Sequence, residues 1–65
     1  MSEIVKKELG NNVGSIVTIF LKNGFRYKGT IVEVDDSFVK INDLRSGIEL
    51  ISISSVERIQ TNGVS

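Results

Sequence analysis

The sequence predicts a mainly β fold: one short N-terminal helix, then five short antiparallel strands, the second strongly bent, curled into a small barrel. Three observations predict it. From residue 13 onward, apolar and polar residues alternate with a period of two, run after run. Asn23-Gly24 separates two such runs and reads as a type I′ hairpin turn. The second run slips phase between Gly29 and Glu33, where a regular strand would keep its alternation.

A chain of 65 residues makes one domain. The expected division is a helix over 1–10, a barrel over 13–60 and a flexible tail over 61–65. A domain this small buries only about 60% of its unfolded surface and is marginal alone. With no Cys and no His, disulfides and a Cys/His zinc site are excluded. Oligomerisation remains as the extra source of stability. No metal and no cofactor is expected. The charged N-terminus is no signal peptide, and no apolar run reaches the ~20 residues of a membrane span. A reducing, cytoplasmic setting fits the absence of Cys. Eight basic and eight acidic residues cancel, so any nucleic-acid site must be local or repeated by symmetry.

The helix is expected over Ser2 to Leu9. Ser2 suits the N-cap and Glu3 the first turn. Ile4, Val5 and Leu9 form its apolar stripe, and Gly10 is a natural C′ residue. In the first strand Val17, Ile19 and Leu21 share one face, with Thr18, Phe20 and Lys22 on the other. In the second, Phe25, Tyr27, Gly29 and Ile31 oppose Arg26, Lys28, Thr30 and Val32. The slip at Glu33 predicts a bulge or bend, with Gly29 as the place where the strand turns. Phe20 and Tyr27 are expected to pack, and Glu33 to be exposed by the bend.

Asp35-Asp36-Ser37 reads as a turn. Phe38, Val39 and Ile41 begin a third strand that ends at Asn42-Asp43. Leu44 to Gly47 form a loop, and Ile48 to Ile53 a fourth strand. Ser54-Ser55 break the chain before a fifth strand, Val56 to Gln60, and the polar end frays. The fourth strand is apolar on both faces and so needs cover on both.

Two constellations arise from the residues alone. Asp35-Asp36 is an acid pair, but neighbours rarely converge on one ligand, and turn capping outweighs chemistry. Lys22, Arg26 and Lys28 make a basic patch that either contacts phosphates or forms a solvated hairpin face.

The run V-T-I-F-L-K-N-G-F-R-Y-K-G-T-I-V-E-V-D resembles the first motif of the Sm-like family (Sm, Lsm and bacterial Hfq proteins). Gly24 corresponds to its turn glycine, Gly29 to its bend glycine and Asp35 to its loop aspartate. All three are expected to be structural. The likeness spans Val13 to Ile59, with Ser2 to Leu9 as the family's helix. It implies a five-stranded, SH3-like (Sm-like) barrel. It also implies a homo-oligomeric ring of about five to seven subunits, closed by pairing of the fourth strand with a neighbour's fifth. Ile48, Leu50, Ile51, Ile53, Val56 and Ile59 would form that subunit interface.

The family resemblance further implies RNA at a central pore, where Ser37, Phe38 and Lys40 would offer stacking faces and positive charge. Phe38 aligns with the phenylalanine that stacks on a base in Hfq, although core packing is an equal alternative. Ser54 and Ser55 would border the same pore or simply make a tight turn. Arg58 would contact RNA, or pair with Glu57 or with Glu49 of a neighbour. The chain departs from the family's sites. Ser37 and Val39 replace a His and an Asn, Ser54-Ser55 stand near an Arg-Gly, and the Tyr-Lys-His of Hfq is missing.

Two functions follow. The first is a non-catalytic module whose ring binds short single-stranded RNA, uridine- or adenine-rich. The alternative is a scaffold ring that has lost RNA binding and mediates protein–protein assembly. An enzyme is not expected, because no nucleophile, base and oxyanion donor come together.

Overall fold

A computed structural model describes residues 2–61 of the chain. The order is α1 (Ser2–Gly10), β1 (Ile16–Leu21), β2 (Arg26–Val34), β3 (Phe38–Asp43), β4 (Gly47–Ser52), a 3₁₀ turn (Ile53–Ser55) and β5 (Val56–Thr61). The strands form one antiparallel five-stranded sheet in the order β4-β3-β2-β1-β5. The chain is therefore mainly β, with one short helix ahead of five strands. No helix among the described residues is long and apolar enough to cross a membrane.

Helix α1 packs on β2, β5 and the 3₁₀ turn. Leu9 is fully buried and Val5 lies against the core, but Ile4 faces away and is 74% exposed. Ile4 thus leaves the expected stripe. Gly10 is not the left-handed cap residue either: it closes the helix, and the positive φ falls at Gly14. The last turn is finished instead by Asn11 N–H donating to the Lys7 carbonyl and by the Asn12 amide donating to the Glu8 carbonyl at 2.8 Å. Orphan carbonyls at a helix end need such partners. The caps expected of Ser2 and Glu3 lie outside the described side chains.

Strands β1 and β2 form the predicted hairpin, with a different turn. Only Gly24 has positive φ, at 93°, and Asn23 does not. Gly24 N–H donates to the Leu21 carbonyl at 3.0 Å, and Leu21 N–H donates to the Phe25 carbonyl at 2.8 Å. This is a type I turn closed by a left-handed glycine and its bulge, not type I′. The Asn23 side chain accepts from Phe25 N–H at 3.0 Å, which fixes it as a turn residue.

The two anomalies in β2 have separate causes. The sheet register slips between Ile31 and Glu33, so Val32 is the extra residue of a bulge. Ile31 can then point inward while Val34 packs against the same core. Gly29 is a matter of space. A β-carbon there would stand 2.0 Å from the Asn42 carbonyl oxygen and 2.8 Å from the Asp43 Cα. The glycine lets β2 run against the backbone at the end of β3.

The core joins Val17, Ile19 and Leu21 of β1 to Ile31, Val39, Ile41, Ile51 and Val56, with Leu9 of α1 and Ile53 of the 3₁₀ turn closing it. Each such aliphatic side chain contributes about 1.5–3 kcal/mol by leaving water. Three expected interface residues are spent here: Ile51, Ile53 and Val56 are only 5%, 4% and 4% exposed. Ile59 pairs with Ile19 and is half-buried against the same core. Thr61, expected in the tail, belongs to β5 and pairs with Val17; the rest of the tail lies outside the described residues.

Candidate nucleic-acid interface

The outer face of β5, β1 and β2 is a grid set by register. Phe20 of β1 lies between Arg58 of β5 and Arg26 of β2. In the next row Thr18 lies between Gln60 and Lys28. Paired residues on antiparallel strands share a face, so these six side chains form one surface. The Arg58 guanidinium carbon sits 3.9 Å from the centre of the Phe20 ring, a cation–π contact. With Asp43, Leu44 and Arg45 the six residues except Arg58 line a cleft of about 480 Å³. Phe20 is therefore not a core residue, as expected from the sequence, but the aromatic floor of a basic cleft. Arg26 and Lys28 meet there as predicted; Lys22 does not line it.

Asp43 is the residue that sequence reasoning passed over. It is 6% exposed. Its Oδ1 accepts Arg45 N–H at 2.7 Å and Ser46 N–H at 3.0 Å, and its Oδ2 accepts Lys28 N–H at 3.2 Å. The Arg45 and Ser46 amides hold its carboxyl below the ordinary range, against the opposing effect of burial. Asp43 thereby ties the β3–β4 loop to β2 and sets Arg45 at the edge of the cleft. An Asp followed by Ser at the third position and Gly at the fourth was the available signal, since such side chains cap turns.

The predicted pore residues fall into two neighbouring hollows. Phe38 and Lys40 open β3 on its outer face, opposite Ser52 and Leu50 of β4. With Glu33 and Asp35 they line a hollow of about 270 Å³ that includes Leu50. Phe38 is 48% exposed, neither core nor free. Lys40 approaches Glu33 at 3.8 Å, and Glu33 is exposed beside the bulge as expected. Ser37 and Ser54 share a second hollow with Asp36, Ser52 and Ile53. The Ser52 and Ser54 hydroxyls are 2.9 Å apart. Ser55 turns away from both, its carbonyl accepting Lys22 N–H. The turn is a single 3₁₀ step rather than a two-residue break.

The aspartate pair divides its work. Asp35 Oδ1 accepts Ser37 N–H at 2.9 Å, and its own N–H donates to the Phe38 carbonyl, so Asp35 fixes the loop ahead of β3. Asp36 pairs with Lys6 of α1. The Lys6 hydrogen bond, and then its charge, keep the Asp36 carboxyl below the ordinary range. No group of three or more His, Cys, Asp or Glu suited to a metal occurs among the described residues.

Both edges of the sheet are free within the chain, because β4 and β5 end the strand order without pairing each other. The β4 edge carries Ile48 and Leu50, 56% and 64% exposed. Open apolar edges are sites of further strand pairing.

No family model matches the sequence, and no curated protein does. Solved structures match over nearly the whole chain. The crystal structure of the pleiotropic translational regulator Hfq is 32% identical, with a TM-score of 0.76, and the match covers 88% of this chain and 97% of that one. A novel Sm-like archaeal protein from Pyrobaculum aerophilum is 25% identical, with a TM-score of 0.75 over 89% of this chain. The chain spans about half of that protein, 51% of its length.

Proposed function

Because this chain belongs to the Sm-like family, we propose that it is a non-catalytic RNA-binding module that assembles into a homo-oligomeric ring and holds short single-stranded RNA. One observation carries the RNA reading. A chain of zero net charge gathers Arg26, Lys28, Arg45 and Arg58 around one half-buried aromatic ring on a single sheet face. Cations that contact phosphate, next to flat groups that stack on bases, are the chemistry of a single-strand site. Phe38, Lys40 and Ser37 on the neighbouring strand are the proposed pore contacts.

Ring closure is the proposed use of the free edges. Pairing β4 with a neighbour's β5 would satisfy both rows of backbone groups and cover Ile48 and Leu50. A 65-residue chain has little other means of covering them. The non-catalytic reading is supported by a sequence without His or Cys.

The test is a titration of fluorescent oligouridylate and oligoadenylate at several salt concentrations. The proposal expects binding whose logarithm falls linearly with the logarithm of salt, as phosphate contacts release counterions. Absence of binding at low salt, with the assembly intact, would favour the scaffold reading, which the exposed Phe25 and Leu44 side chains would then serve.

A further inference from the structure

We propose that Arg58, not Phe20, is the stacking platform of the outer-face cleft: the bound base lies on the free face of the Arg58 guanidinium, which itself lies on Phe20. The proposal rests on the RNA-binding reading above and specifies how that site takes a base.

The geometry that carries it is the 3.9 Å stack. Phe20 sits in the middle of three strands, so only its outward side can meet a ligand. That side is where the guanidinium lies. A base stacking directly on Phe20 would have to displace a cation from an aromatic face. A base stacking on Arg58 displaces only water. The guanidinium is planar, delocalised and weakly hydrated, so it accepts an aromatic neighbour on each face. An exposed arginine normally loses rotamer freedom on binding. One already seated on Phe20 has lost part of it beforehand, which favours capture.

The surrounding residues fit a nucleotide placed there. Arg26 stands on the far side of Phe20, and Lys28 and Arg45 line the cleft, so phosphates on either side of the base find a cation. Thr18 and Gln60 make the adjacent row with neutral donors and acceptors for a base edge. The result is a stack of ring, guanidinium and base, flanked by charge.

Arg58→Lys separates this from simple charge attraction, since lysine keeps the cation and cannot stack as a plane. The assay uses the assembled full chain, a fluorescein-labelled oligoadenylate, and the same strand carrying 2-aminopurine, whose fluorescence is quenched by stacking. Arg58→Lys is expected to weaken binding at least about fivefold, leave the salt slope unchanged, and relieve the quenching. Phe20→Leu should relieve it too, and the double variant should lose little more than either single one, because both act through one stack. A wild type that binds and an Arg58→Lys variant that binds and quenches equally well would overturn the platform alone. Dissociation of Arg58→Lys into smaller species would assign Arg58 to the subunit interface and also overturn it. A wild type that captures no strand overturns the RNA reading and the platform together.

Discussion

Gly29 and Asn42 approach so closely that a β-carbon on the glycine would stand 2.0 Å from the Asn42 carbonyl oxygen. The obstacle is backbone on a paired strand, so it cannot swing aside as a long side chain would. Gly29→Ala is therefore expected to remove about 3 kcal/mol or more of stability, at the severe end for a single substitution. Urea unfolding followed by circular dichroism measures it. Retention of wild-type stability would mean that β2 and β3 can separate here, contrary to the close approach described. Gly24→Ala should cost less, about 1 kcal/mol, because the strain there is one left-handed φ with open space around it.

Asp43 makes stability depend on pH. Its folded carboxyl is held below the ordinary value of about 3.9 by the amides of Arg45 and Ser46. A lowered folded value contributes stability that is present above the unfolded pKa and lost as pH falls through the folded one. The melting midpoint should therefore hold steady down to about pH 5 and fall below about pH 4. Asp43→Asn should melt lower at neutral pH and show a shallower acid decline. Asp36 shifts in the same direction through Lys6 at the surface, so scans in about 0.5 M salt isolate Asp43. An unchanged acid decline in Asp43→Asn would refute this role.

Leu50 and Ile48 separate assembly from folding. Both are more than half exposed, so Leu50→Asp and Ile48→Asp should leave the circular dichroism spectrum and melting curve of the single chain little changed. Both should dissociate the proposed ring, because a carboxylate would be buried at the strand edge. Val56→Asp, by contrast, should unfold the chain outright, since Val56 is core.

Phe38→Ala separates stacking from packing. At 48% exposure Phe38 has given up only part of its surface to the fold, so truncation should cost less than the about 3–5 kcal/mol of a buried phenylalanine. If Phe38 holds a base at the pore, strand affinity should fall by about 1–3 kcal/mol with the ring intact. An unfolded variant would make Phe38 a packing residue, and unchanged affinity would remove it from the site.

The sequence made the strands legible because burial acts on alternate residues. Val17, Ile19 and Leu21 read as one face and are one face. The slip near Glu33 read as a bulge and is one, at Val32. Local conformation within turns was less legible. Asn-Gly suits both type I′ and a type I turn with a glycine bulge, and the hydrogen bonds of Leu21 decide between them. Gly29 was seen to be special for a reason that lay elsewhere: bending was inferred, but the cause is the backbone of Asn42, thirteen residues on in sequence. The outer-face site was half legible. Arg26 and Lys28 share a strand face by period alone, whereas Arg58 and Phe20 meet only through the β1–β5 register. Ile51, Ile53 and Val56 misled because an apolar residue in a pattern does not declare which apolar surface it will cover.

The most direct test of the central claim is native mass by light scattering, read on one sample with and without a fluorescent oligouridylate or oligoadenylate strand. The account predicts a single discrete oligomer that takes up the strand at low salt and releases it as salt rises. A monomer that binds no strand would contradict it, for the free β4 and β5 edges would then have another use, and the cations around Phe20 would be no more than a solvated face.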